Sequence, residues 1–170
     1  HALQDARISM ERLNDIHAQE DEEYDIGNKL SLLPENGTIT VRDLTYSYSG
    51  AERDYAIKNL SLDIPEGKVT AIVGESGSGK TTLIKLLQGF YKPNSGTIKV
   101  GGISLDCINP HLWRKSTGSV MQESYIFSDT IAKNSALSTD EVDVKRLYDS
   151  ALLANADEFI SALPLGYNTR

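Results

Sequence analysis

The chain has 170 residues, with 17 basic and 24 acidic side chains, so its formal net charge is −7. This length suits one domain with a core of its own. The negative balance argues against a nucleic-acid-binding protein, because binding to the phosphate backbone needs a basic face. The single cysteine, Cys107, excludes an internal disulfide and a cysteine-rich zinc site. The longest apolar runs fall far short of the roughly 20 residues that cross a bilayer, and the first residues do not resemble a signal segment. We therefore expect the chain as given to be soluble, with any membrane link made by residues outside it.

Residues 1–25 show the pattern of a charged helix followed by an acidic run. Apolar or weakly polar positions recur at spacings of three and four: Leu3, Ala6, Met10, Leu13 and His17. Residues 20–23 are all acidic, and such blocks repel each other and usually stay solvated. The pattern predicts a linker helix that ends in a solvated acidic stretch, and cation binding by that stretch is the alternative.

Residues 37–105 alternate between strand-like segments and turns. We predict strands at 38–41, 44–48, 55–64 and 98–100, where β-branched and aromatic residues alternate with polar ones. Residues 69–73 form a nearly continuous apolar run, which is typical of a strand buried on both faces. The apolar spacing within residues 82–89 predicts a helix.

The remaining residues contain further helix signals. Asn109 followed by Pro110 predicts a helix start. The asparagine can cap the helix, and proline is tolerated at the first helical position because the N–H that it lacks would have no partner there. Residues 119–121 indicate another short strand. The spacing of residues 138–141 matches a capping box ahead of an amphipathic helix from Val144 to Leu152. Residues 155–158 begin a second short helix, which Pro164 ends.

The strongest signal is the segment at residues 74–81, Gly-Glu-Ser-Gly-Ser-Gly-Lys-Thr, which matches G-x-x-x-x-G-K-[ST] without a mismatch. The predicted strand before it and helix after it are the context that this motif requires. Glycines let the backbone turn tightly, so that successive N–H groups converge on phosphate oxygens, and the unpaired amides at the helix start add partial positive charge. Lys80 should reach the β- and γ-phosphates, the Thr81 hydroxyl should bind Mg²⁺, and Thr82 can donate to the α-phosphate. The alternative is a glycine-rich turn without a ligand.

A base-binding residue is harder to select from the residues alone. Tyr48 ends a predicted strand and could stack on adenine. Tyrosine is also a common half-buried strand residue, so this pattern singles out none of the eight tyrosines. The same applies to Gln122, since a polar residue after a strand is usually part of a loop.

Taken in order, several segments resemble the nucleotide-binding domain of an ATP-binding cassette (ABC) transporter of the exporter type. These segments are residues 44–48, 57–64, 67–83, 95–98 with Gly101-Gly102, and 120–127. The resemblance covers about residues 38–170. It implies an α/β fold, namely a P-loop NTPase (RecA-like) core with an N-terminal antiparallel β-subdomain and part of a helical subdomain, incomplete at the C-terminus. Residues 26–170 would be this partial domain, and residues 1–25 the linker after the last transmembrane helix.

The resemblance also implies roles for individual residues. Tyr48 would stack on adenine, and Ile57 would lie beside the base and ribose. Residues 74–82, which we call the phosphate loop, would bind the nucleotide through Gly74, Glu75, Ser76, Gly77, Ser78, Gly79, Lys80, Thr81 and Thr82. Lys80 and Gln122 would be catalytic, and Thr81 and Gln122 would bind Mg²⁺. Gln122 would also contact the attacking water and join the core to the helical subdomain.

Two more segments carry part of the resemblance. Residues 129–131 with Asn134 resemble the T-I-x-x-N stretch, which in the family lies near the coupling helices. Residues 4–16 resemble the cytoplasmic extension of the last transmembrane helix, most closely that of peptidase-containing bacteriocin and peptide exporters or type I secretion relatives.

The resemblance implies an ATPase motor domain that binds Mg-ATP and drives export, and the resemblance to the subfamily implies a peptide or bacteriocin as the cargo. Its partners would be the transmembrane domain of the same transporter and a second nucleotide-binding domain, at the cytoplasmic face of the membrane and without nucleic acid. The L-S-G-G-Q signature, the Walker B aspartate, the glutamate base and the switch histidine do not occur before Arg170. We therefore expect the chain as given to bind nucleotide weakly and to be inactive in hydrolysis by itself.

Two other functions are compatible with a phosphate-binding motif. One is another P-loop NTPase or a small-molecule kinase. The guanine-binding motif N-K-x-D of GTPases is missing, and the last third of the chain has only three arginines, Arg114, Arg146 and Arg170, for the arginine-rich lid of a kinase. The other is a module that binds nucleotide without hydrolysing it.

Overall fold

The computed structural model describes residues 2–18, 26–50, 54–122, 125–136 and 141–170. The chain divides into two units, His1–Gly118 and Ser119–Arg170. The elements of the first unit are α1 (Ala2–His17), β1 (Ile39–Tyr46), β2 (Ile57–Ile64), α2 (Lys80–Leu87), β3 (Ser95–Val100), β4 (Ile103–Ser104) and α3 (Pro110–Ser116). Those of the second unit are α4 (Ile131–Ala136), α5 (Val144–Leu153) and α6 (Asp157–Ser161). Short 3₁₀ turns lie at Ile26–Asn28, Leu105–Cys107 and Gly166–Asn168.

Helix α1 confirms the helix predicted near the N-terminus. Arg7 and Glu11, one turn apart on its exposed surface, form an ion pair of 3.0 Å. The side chains of Met10 and Leu13 are also exposed. The acidic run at residues 20–23 lies outside the described residues. Within the described part of the chain, no helix has both the length and the apolar character of a membrane span.

The first unit contains an antiparallel sheet in the order β2-β1-β3-β4. It confirms the strands that the alternating pattern predicts, since β-branched and aromatic residues favour a pleated, half-buried surface. Gly101 and Gly102 form the turn between β3 and β4, where Val100 pairs with Ile103. Both glycines have positive φ, 55° and 85°, which suits a tight two-residue hairpin.

Strand β1 is one strand interrupted by a bulge, where the sequence pattern indicates two separate strands. Its pairing with β2 shifts between Val41 and Leu44, and its pairing with β3 shifts between Arg42 and Thr45. Asp43, inside the shift, has a φ of 49°. Because of the extra residue, Val41 and Leu44 are both fully buried although they are three positions apart.

The main core of the first unit lies between this sheet and α2. Leu83 and Leu86 of α2 join the buried side chains of the strands, among them Leu44 and Ile98. A second cluster contains Trp113 of α3, whose Nε1 donates a hydrogen bond of 2.8 Å to the carbonyl oxygen of Leu87 at the end of α2.

The helix start predicted at Asn109 is confirmed. The Asn109 Oδ1 accepts from the backbone amides of His111 (2.9 Å) and Leu112 (3.3 Å), and Pro110 is the first residue of α3. This cap satisfies two amides that have no partner within the helix.

Two predicted strands are wrong. Residues 69–73 have no regular structure, and Val69 and Val73 are 100% and 89% exposed. Residues 119–121 are likewise not a strand, and Val120 is 96% exposed. A parallel strand forms only when neighbouring strands pair with it, and no described residue pairs with either segment.

The second unit confirms the two predicted helices of its C-terminal part as α5 and α6. The capping-box prediction for α5 lies largely outside the described residues, and the observed cap is Asp143, whose Oδ1 accepts from the amide of Arg146 at 3.0 Å. Helix α6 has no side-chain cap. Its first residue, Asp157, instead accepts a hydrogen bond of 2.7 Å from the hydroxyl of Tyr167.

Candidate nucleotide-binding site

The phosphate loop leads into α2 with the backbone conformation of a glycine-rich turn. Gly77 and Gly79 have positive φ, 81° and 86°, which other residues adopt at a cost. A Cβ on Gly79 would lie only 2.4 Å from the carbonyl oxygen of Ala56, just before β2. The glycine at position 79 is therefore required both by its conformation and by this close approach.

The ammonium group of Lys80 forms hydrogen bonds with the first residues of the phosphate loop. Its Nζ donates to the carbonyl oxygens of Gly74 (2.8 Å) and Glu75 (2.6 Å), and it lies 3.2 Å from the Ser78 Oγ. The amide of Ser78 in turn donates to the Glu75 carbonyl oxygen at 3.2 Å. A Cβ on Gly74 would lie 2.7 Å from the Ser78 Oγ, so a larger residue there would require the Ser78 side chain to move.

The start of α2 supplies further donors. The first hydrogen bond of its ladder runs from the amide of Leu83 to the carbonyl oxygen of Gly79 at 2.8 Å. The amides of Lys80, Thr81 and Thr82 precede this ladder and carry the partial positive charge of a helix N-terminus. An exposed loop with these amides and one ammonium group fits the phosphates of a nucleotide, which need several donors in a small volume.

The structure brings Tyr48 to the same place. Its hydroxyl and the Thr82 Oγ1 are 3.0 Å apart, so one donates to the other, and Thr82 is buried in the first turn of α2. The side chain of Tyr48 nevertheless stays 56% exposed. An accessible aromatic ring therefore lies next to the phosphate loop, as base stacking requires.

Two further tyrosines contact Tyr48. The ring centroids of Tyr46 and Tyr91 lie 5.1 and 5.5 Å from that of Tyr48, both in edge-to-face geometry. Burial raises the pKa of Tyr46, with smaller contributions from the two neighbouring phenols, so Tyr46 stays neutral. The sequence pattern did not indicate Tyr91. The signal that could have found it is an aromatic residue two positions after the glycine that ends a helix.

The other predicted site residues differ in their surroundings. Ile57 is buried in the core beneath the phosphate loop, and a Cβ on Gly79 would lie 3.2 Å from its Cγ1. Thr81 is exposed at the start of α2 in the first unit. Gln122 is exposed and belongs to the second unit. Among the described residues, no three His, Cys, Asp or Glu side chains gather as metal ligands, so a metal here would depend on hydroxyl, amide and phosphate oxygens.

Comparison with known proteins decides the family. The family model described as "ABC transporter" matches residues 57–168. The chain belongs to the ABC transporter family. This assignment argues against the kinase and GTPase alternatives, and it agrees with the phosphate loop and the antiparallel sheet of the structure.

The similar proteins include secretion ATP-binding proteins of bacteria. The chain is 37% identical over 167 residues to the alpha-hemolysin translocation ATP-binding protein HlyB of Escherichia coli, covering 98% of the chain and 23% of that protein. It is 38% identical to the leukotoxin translocation ATP-binding protein LktB of Mannheimia haemolytica, with the same coverage. The chain thus spans about a quarter of the length of these relatives.

A solved structure of a bacterial Atm1-family ABC exporter with ATP bound has the same fold. Its TM-score is 0.84 at 30% sequence identity, over 98% of this chain and 29% of that one. The α/β fold class is confirmed.

Proposed function

We propose that this domain binds Mg-ATP between Tyr48 and the phosphate loop, and that ATP binding and hydrolysis in the intact protein drive export. The observation that carries the proposal is the hydrogen bond between the Tyr48 hydroxyl and Thr82. It joins an exposed aromatic ring to the first turn of α2, so that a base and a polyphosphate could be held by adjoining surfaces.

Three residues of the phosphate loop have individual roles in this proposal. Lys80, held on the loop carbonyls in this structure, would exchange them for the β- and γ-phosphate oxygens. A hydroxyl has one donor and two acceptor positions, so Thr82 can accept from Tyr48 and still donate to the α-phosphate. Thr81 would hold Mg²⁺, which neutralises charge that develops on the phosphates, and the role of Gln122 is what the family resemblance implies.

The T-I-x-x-N stretch supports a contact with the transmembrane domain. The Asn134 Nδ2 donates to the carbonyl oxygens of Phe127 (3.0 Å), Asp129 (3.2 Å) and Thr130 (3.0 Å), and its Oδ1 accepts from the Phe127 amide at 2.8 Å. One side chain thus fixes the loop before α4. A loop held this firmly could transmit motion to a partner domain instead of absorbing it.

The relatives support a role in export, since HlyB and LktB are named translocation proteins and the similar structure is that of an exporter. We propose that residues 1–25 follow the last transmembrane helix and that residues 26–170 are part of the nucleotide-binding domain. Its partners would be the transmembrane domain and a second nucleotide-binding domain, at the cytoplasmic face of the membrane. The cargo would be a peptide, bacteriocin or secreted protein.

Replacement of Lys80 tests ATP binding. Isothermal titration of the Lys80→Ala variant with Mg-ATP should give no measurable binding, because the variant loses the one full positive charge inside the phosphate loop. Lys99→Ala, which removes the same charge from an exposed position on β3, is the matched control and should bind as the parent does. Equal ATP affinity in the Lys80→Ala variant and the parent protein would contradict the proposal.

A further inference from the structure

We infer that Tyr91, together with Tyr46, is a positioning residue that holds the Tyr48 ring in the orientation that stacks on the base. This inference rests on the proposed ATP site and adds to it a second layer of aromatic residues. Neither Tyr46 nor Tyr91 needs to touch the nucleotide, since both act through their contacts with Tyr48.

The three rings form one cluster. Tyr46 and Tyr91 stack on each other with centroids 5.4 Å apart and an interplanar angle of 23°. The Tyr48 ring stands nearly perpendicular to both, at 80° and 85°. Edge-to-face contacts of this kind are directional, because the positive ring edge meets a negative ring face. Two of them on one ring favour a single orientation of that ring, which a contact with an aliphatic side chain does not specify.

The position of Tyr91 is itself fixed by the end of α2. The amide of Gly89 donates to the Leu86 carbonyl oxygen, and the amide of Phe90 donates to that of Lys85, both at 3.0 Å. With a φ of 73° at Gly89, these bonds make a Schellman motif, which turns the chain sharply after the helix. Tyr91 directly follows this turn.

A second attachment lies just beyond Tyr91. The amide of Asn94 donates to the Thr45 carbonyl oxygen (3.0 Å), and the Asn94 Oδ1 accepts from the Ser47 amide (2.7 Å). The segment that carries Tyr91 is therefore tied to the end of β1, the strand that leads into Tyr48. In addition, the Lys85 Nζ lies 5.8 Å from the Tyr91 ring centroid, within the range of a cation–π contact.

The Tyr48 ring is thus held at two places. Its hydroxyl end is bonded to Thr82, and its ring is packed against Tyr46 and Tyr91. Loss of Tyr91 would leave the hydroxyl attachment and the contact with Tyr46 but remove one of the two contacts that orient the ring. Only a ligand that has a base would lose affinity as a result, because the phosphates bind elsewhere, at the phosphate loop.

This distinction gives the test. In the full-length protein that contains this domain, affinity is measured for Mg-ATP and for Mg-tripolyphosphate, which has the phosphates and no base. The variants are Tyr91→Leu, Tyr91→Met and Tyr91→Phe. Phe90→Leu is the matched control, since Phe90 is the neighbouring exposed aromatic residue and contacts Arg114 instead of the tyrosine cluster.

We expect Tyr91→Leu and Tyr91→Met to bind Mg-ATP about threefold to tenfold more weakly and to bind Mg-tripolyphosphate as the parent does. The KM for ATP should rise by the same factor with kcat unchanged. Tyr91→Phe keeps the ring and should restore the parent affinity, and Phe90→Leu should change neither ligand.

Other results would overturn the inference. Parent-like ATP affinity in both Tyr91→Leu and Tyr91→Met would show that the ring does not position Tyr48. Equal loss of ATP and tripolyphosphate affinity in both variants would show that Tyr91 only supports the fold of the loop. Failure of the ATP site itself would give a different result, since Lys80→Ala would then leave the affinities for both ligands unchanged.

Discussion

Replacing Gly79 with alanine tests why the phosphate loop needs a glycine at this position. Gly79 has a φ of 86°, and a Cβ there would lie 2.4 Å from the Ala56 carbonyl oxygen. An L-residue in the left-handed region costs about 1–2 kcal/mol. Relieving the collision with a backbone oxygen adds about 1–3 kcal/mol, the usual cost of overpacking. We therefore expect Gly79→Ala to lower the free energy of unfolding by about 2–5 kcal/mol, the sum of these two costs.

Gly102 provides a matched control. Its φ is 85°, nearly the same as that of Gly79, yet a Cβ there would meet nothing within 4 Å. Gly102→Ala should therefore cost only the conformational part, about 1–2 kcal/mol. The difference between the two variants isolates the close approach to Ala56 and Ile57.

Urea unfolding provides the measurement. Trp113 is the single tryptophan and is buried, so its fluorescence reports the unfolding of the first unit. The urea midpoints of the parent chain and of both variants are compared at equal slope. Equal destabilisation by Gly79→Ala and Gly102→Ala would refute the reasoning, because it would mean that the loop moves away from Ala56 at no cost.

Two further predictions concern the second unit. Asn134→Ala should lose the hydrogen bonds that fix the loop before α4, at a cost of about 1–3 kcal/mol, and hydrogen exchange at the Phe127 amide should become faster. Unchanged exchange there would contradict the role of Asn134. Burial and the hydrogen bond to Asp157 raise the pKa of Tyr167 to about 12. Its contribution to stability should thus be complete below its ordinary pKa of about 10 and be lost as the pH rises from there toward 12. Tyr167→Phe should remove this alkaline loss from urea midpoints measured over that range, and an identical pH profile in the variant would argue against the assignment.

The sequence pattern correctly predicts the elements that depend on residues close together in the chain. The phosphate loop, α2 and the capped start of α3 follow from residues close together in the chain, such as Asn109 and Pro110. The antiparallel strands follow from alternation, because one face of this sheet is buried. The roles of the individual site residues follow from the family resemblance, and all of them remain predictions.

The errors concern features that depend on distant partners. The apolar run at residues 69–73 has the composition of a buried strand, but burial depends on what packs against it, and no described strand does. The cluster of Tyr46, Tyr48 and Tyr91 joins β1 to the turn after α2, so no short window of sequence contains it. The bulge in β1 was also missed, because a break in alternation looks the same as the end of one strand and the start of another.

That bulge determines on which side of the sheet Tyr48 emerges. Side chains alternate along a strand, so a single extra residue between Val41 and Leu44 reverses the parity of every position after it. Positions 44 and 46 thereby share the orientation of position 41, which is the side that packs on α2, and Tyr48, two residues beyond the strand, contacts Thr82 of that helix. Deleting one residue at 42 or 43 would restore simple alternation and direct the Tyr48 ring away from Thr82, so the contact between Tyr48 and α2 depends on an irregularity several residues away.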